Sequence, residues 1–110
     1  MFQPVEMRMI LVAGHDLPAM REASMRLFGA GHMPVIGEWL SDPLVSSSGL
    51  EVDGDEAYHR IVHPISERLL ARCDAVLRVG GPSVPGDAVA ALARGRGLRV
   101  FFSLQEALDG

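Results

Sequence analysis

Short apolar runs that end at a glycine, each followed by a stretch with helical spacing, constrain this chain more than any other feature. Met7–Ala13 ends at Gly14 and reads as a buried strand. From Leu17 the period changes: Leu17, Met20, Ala23, Ser24, Leu27 and Phe28 recur at three and four residues, with Arg21, Glu22 and Arg26 between them. That spacing predicts an amphipathic helix with Asp16 as N-cap and Pro18 in its first turn. Gly29–Gly31 stop it, and His32–Ile36 read as a second strand, at a sheet edge because Pro34 cannot donate to a neighbour. Glu38–Leu44 suggest a short helix, and Val45–Asp55 a long polar loop of the kind that serves as a binding lid or an interface. Glu56–Arg72 are helical in composition, with either a kink or a new start at Pro64. Ala75–Val79 form a third strand, Gly80–Gly86 a turn, Asp87–Arg94 a helix and Leu98–Phe102 a fourth strand; Ser103 then caps a last short helix.

The resulting order, β-α-β-(α)-α-β-α-β-α, predicts a three-layer α/β domain with a mainly parallel sheet of four or five strands. At 110 residues the chain is expected to be a single domain, 1–110. A formal net charge of −4 argues against general nucleic-acid binding, which needs a cationic face. All ten basic residues are arginine, a bias that carries no functional weight in itself. Cys73 is the single cysteine and no leader pattern opens the chain, so a reducing cytoplasm is the expected location. Apolar runs such as Met9–Ala13 are far short of the roughly 20 residues that span a bilayer, and no membrane association is expected.

Open parallel sheets bind ligands beyond the carboxyl ends of their strands, where the winding reverses. Two turns are expected to meet there: Gly14-His15-Asp16 and Gly80–Asp87, the second containing Gly81, Ser83 and Gly86. Glycines admit a ligand close to the backbone and Ser83 both donates and accepts, although turn formation and helix capping explain the same residues. Asp87, near a helix start, competes with phosphate for that position and suits sugar hydroxyls or an anomeric carbon. Arg78 is an unexpected charge near the end of a buried strand. It either reaches a ligand anion, lies solvated, or pairs with an acid such as Glu38. No dinucleotide or P-loop glycine pattern is present, and no cofactor is expected. Asp55, His59, His63 and Glu67 recur every four residues, but Pro64 interrupts that face, so no metal site is expected. Cys73 reads as an inert core thiol, Asp74 as structural, and Trp39 or Tyr58 as residues that either stack on a base or pack.

Three stretches carry a family resemblance. Ile10–Gly14 followed by Arg21, Leu27-Phe28 and Gly31-His32 resembles the opening of nucleoside 2-deoxyribosyltransferase-like proteins. Leu70–Leu77 is similar to the cysteine-aspartate-alanine strand entry of their small uncharacterised members, and Gly81, Ser83 and Gly86 resemble their turn before a helix. The resemblance implies a flavodoxin-like, Rossmann-like fold and a nucleoside or nucleotide ligand. It also implies N-glycosidic chemistry through a glutamate nucleophile. Where that glutamate is expected, this chain has Ala88–Ala91, which leaves Asp87 as the stand-in carboxylate and Gly14, His15, Asp16, Arg78, Gly81, Ser83 and Gly86 as the binding set. Glu38, Asp42 or an acid from a neighbouring subunit are the other carboxylates to consider. Two readings stay open: a glycosyl-transferring or hydrolysing enzyme, and a non-catalytic ligand-binding relative. Under either, a small two-sided sheet favours a homodimer or higher homo-oligomer, with the segment 45–60 as its contact.

Overall fold

Four strands and their helices account for most of the chain in the computed structural model, which describes residues 6–110. The strands are β1 (Met9–Ala13), β2 (Met33–Ile36), β3 (Ala75–Arg78) and β4 (Arg99–Phe101), all parallel and ordered β2-β1-β3-β4. This is a flavodoxin-like winding, with the reversal between β1 and β3. The expectation of no leader pattern falls on the start of the chain, where residues 1–5 lie outside the described residues. No helix among the described residues is long and apolar enough to cross a membrane.

Strand side chains alternate between two cores. Ile10 and Val12 of β1, Leu77 of β3 and Phe101 of β4 join Met20 and Leu27 of helix α1 (Leu17–Gly29) and Ala107 of α6 (Leu104–Asp109). Leu11 and Val76 point the other way, to Leu70 of α4 (His63–Leu70) and Ala93 of α5 (Val84–Gly95). Each large apolar side chain so buried contributes about 1.5–3 kcal/mol. Asp74 closes the far end of the sheet: its Oδ2 accepts from the Met9 N–H at 2.7 Å, and its own N–H donates to the Met9 carbonyl. The structural reading of this acid is thereby accounted for. At β2 the Met33 N–H donates to the Arg8 carbonyl, so Pro34, one residue on, turns its missing donor to the open edge.

Helix boundaries depart from the sequence reading in three places. Helix α2 runs Glu38–Ser48, past Leu44, and ends at Gly49 in the left-handed region (φ 77°). The long polar loop expected over 45–55 is therefore shortened to residues 49–54. Pro43 is tolerated because the bond it forgoes belongs to the exposed Trp39 in the first turn. Helix α5 begins at Val84, three residues before Asp87, because the Ser83 Oγ accepts the Gly86 N–H and Pro85 fits the first turn. Between Asp55 and Leu70 there is one continuous helix: α3 (Asp55–Ala57), a π-helical turn (Tyr58–Val62) and α4. The His63 N–H reaches back to the Tyr58 carbonyl across that wider turn, just ahead of the proline that cannot donate.

Cys73 lies in the core on the α4/α5 face. Burial, with the Asp74 charge adding to it, pushes its thiol up to about 11. Alkylation of the folded protein by iodoacetamide at pH 7.5 is expected to be slow and to become fast on unfolding in urea. Modification of the folded protein at the rate of an unfolded peptide would contradict this placement.

Candidate functional site

Gly14 and Gly86 bring the two glycine-bearing turns together at the carboxyl rim of β1 and β3. A Cβ on Gly14 would lie 2.7 Å from the Val79 carbonyl oxygen. One on Gly86 would lie 2.8 Å from the Ser83 Oγ, 3.2 Å from the Arg78 Cγ and 3.3 Å from the Gly14 Cα. The glycines thus permit backbone contact at this rim, and the Val79 N–H donates to the Ala13 carbonyl to hold it. Ser83 and Asp16 are both occupied as helix caps, Asp16 accepting the Ala19 N–H at 3.2 Å. His15 is exposed and, with Gly14 and Pro85, lines a hollow of about 270 Å³. Gly81 stands apart, exposed with open space around it.

Arg78 and Asp87 are partners. The Arg78 Nη1 donates to the Asp87 Oδ1 at 2.7 Å, and the guanidinium lies 4.8 Å from the Phe102 ring centroid. Arg78 is at the last position of β3 on the α5 side of the sheet, where the first turn of α5 presents Asp87. Of the roles considered for this arginine, pairing with an acid is the one observed, and the acid is Asp87 rather than Glu38. Asp87 consequently stands at the rim already paired with a cation.

Glu38 is free. It follows Gly37, directly after β2, and so arrives at the same rim. It borders three hollows: the one beside Gly14 and His15, a narrow one against Ala13 and Val62, and the largest, about 520 Å³, between α2 and the π turn. That largest volume lies within the range of small-molecule pockets. Two buried side-chain polar atoms among the described residues have no hydrogen-bond partner, Glu38 Oε2 and Arg78 Nε, and both belong to this rim. Burial raises the Glu38 carboxyl above the usual carboxylate range. Its own backbone N–H opposes that shift and the Asp42 charge adds to it. Asp42 lies one turn further along α2 and borders the same large hollow.

Tyr58 and Val62 of the π turn form the opposing wall. Tyr58 packs edge-on to His59 and at a tilt to His63. Sequence reasoning gave Tyr58 no priority over Trp39, but only Tyr58 reaches this cleft; Trp39 borders an apolar hollow with Met25, Phe28 and Met33 at the β2 edge. The available signal for Glu38 was its place one residue beyond a strand-ending glycine, since parallel strands all end at one rim. No three His, Cys, Asp or Glu side chains among the described residues gather in a metal-holding cluster, and His63 pairs with Glu67 at 3.3 Å.

The chain matches no family model, and no curated protein or solved structure is significantly similar to it.

Proposed function

We propose that this protein binds a nucleoside or nucleotide in the cleft between α2 and the π turn and cleaves or transfers at its N-glycosidic bond, with Glu38 acting on the sugar. The reading is carried by one observation: a half-buried carboxyl with an unpartnered oxygen, bordering three adjoining hollows at the switch point of the sheet. Poor solvation makes such a carboxylate more basic and a better nucleophile once ionised. Its oxygen would bond to the anomeric carbon as the carbon–nitrogen bond breaks. The departing base takes a proton from solvent, and water or a second base then releases the sugar. The resemblance in the β1, β3 and Gly81–Gly86 stretches supports the same chemistry, with the acid supplied from α2 instead of α5. Gly14, His15 and Gly86 would line the sugar side, while Asp16, Ser83 and the Arg78–Asp87 pair hold the loops. Self-association belongs to this proposal, supported by the exposed Met25, Phe28 and Trp39 at the β2 edge.

A second reading, binding without turnover, is favoured by the pairing of Asp87 with Arg78, which leaves no unpaired acid opposite Glu38 on the α5 side. Incubation with 2′-deoxynucleosides and a free acceptor base separates the two. Release or exchange of base by the wild type and by Asp87→Asn, but not by Glu38→Gln, is the expected result. Thermal stabilisation without turnover would leave the binding reading, and loss of turnover in Asp87→Asn alone would return the chemistry to α5.

A further inference from the structure

We infer that the cleft selects uncharged nucleosides and rejects their phosphates, an inference that rests on the proposed function and narrows its ligand. In sheets of this winding, phosphate is held by the free N–H groups and positive dipole of a helix N-terminus at the rim. Here each of the four helices that start at this rim carries a carboxylate there, Glu106 in the first turn of α6 included. Asp16 caps α1, Glu38 stands in the first turn of α2, and Asp87 stands in the first turn of α5. At α1 and α5 side chains also take up N–H groups that a phosphate would need, Asp16 that of Ala19 and Ser83 that of Gly86.

The large hollow repeats the pattern. Glu38, Asp42 and Asp53 line it, together with Ser41 and Ser46, and among the described residues no arginine or histidine does. The arginine at the rim, Arg78, is directed to Asp87 and Phe102. A phosphate would bring nearly two negative charges to a cleft already holding three acids. The remaining lining suits a neutral planar ligand: Val45, Ala57 and Val62 are apolar, and the Tyr58 ring offers a face for a base. Serine hydroxyls and carboxylates accept hydrogen bonds from sugar hydroxyls.

The test is calorimetric titration of the full chain with 2′-deoxyadenosine and 2′-deoxycytidine and with their 5′-monophosphates, at low and high salt. At low salt the monophosphates are expected to bind at least about tenfold more weakly. That gap should narrow at high salt and in the double variant Asp42→Asn, Asp53→Asn. Equal or tighter binding of the monophosphates overturns the inference and leaves the proposed function standing. A gap insensitive to both salt and the double variant overturns its electrostatic basis. If neither class of ligand binds, the proposed function falls and the inference with it.

Discussion

Gly14→Ala is expected to destabilise the protein by about 3 kcal/mol, enough to lower its melting temperature by more than 10 °C. The cause is local and steric. A methyl group on residue 14 would sit 2.7 Å from the Val79 carbonyl oxygen, and that atom belongs to backbone held by the Val79 N–H to Ala13 hydrogen bond. Backbone so placed cannot rotate away like a flexible side chain, so the ends of β1 and β3 must part. Gly86 lies against the Gly14 Cα, and the displacement would therefore reach the Ser83 cap and the Arg78–Asp87 pair. Gly81→Ala, at an exposed position with open space around it, is the control and should change stability little. Urea unfolding of the three proteins measures the difference. A Gly14→Ala protein as stable as the wild type would mean that the two turns are not in contact.

The Glu38→Gln protein should be more stable than the wild type and inactive, a combination that distinguishes a functional acid from a structural one. Turnover should fall at least about a thousandfold, because an amide can neither attack the anomeric carbon nor stabilise its positive charge. Stability should rise by about 1 kcal/mol at pH 7.5. Removing a charge with an unpartnered buried oxygen sets the sign, and solvent access to the rest of the half-buried group keeps the magnitude small. The pH dependence follows from the direction of the shift. A carboxyl raised by folding binds more proton in the native state than in the unfolded one. The wild type therefore loses this contribution as pH climbs from the ordinary carboxyl value through the raised one. The advantage of the glutamine variant should accordingly vanish near pH 4 and be fully present at pH 7.5. A less stable variant, or a pH-independent difference, would contradict the placement of Glu38.

The strand–helix alternation made the sheet legible because each period is local, and once the order was fixed the meeting of the Gly14 and Gly86 turns followed from topology. Side-chain partners were harder to read. Arg78 and Asp87 meet because α5 starts at Val84, which depends on the Ser83 cap and on which side of the sheet β3 turns its last residue. The burial of Glu38 depends on longer-range packing: α2 must continue through Pro43, and a π turn must form ahead of Pro64 to close the cleft. Pro64 reads locally as a kink or a new start and the helix from Glu38 as ending at Leu44, and tertiary contacts override both readings. Tyr58 is the sharpest case, since nothing near it in sequence distinguishes it from Trp39, and only the π turn directs it to the cleft.

Side-chain carboxyl NMR, following Glu38 from pH 3 to pH 9 with and without 2′-deoxyadenosine, measures the acid on which function depends. A midpoint above that of an ordinary glutamate, moved further by the nucleoside, is the predicted result. An ordinary midpoint that the nucleoside leaves unchanged would mean that Glu38 is a solvated surface acid and that the cleft beside it is not the site.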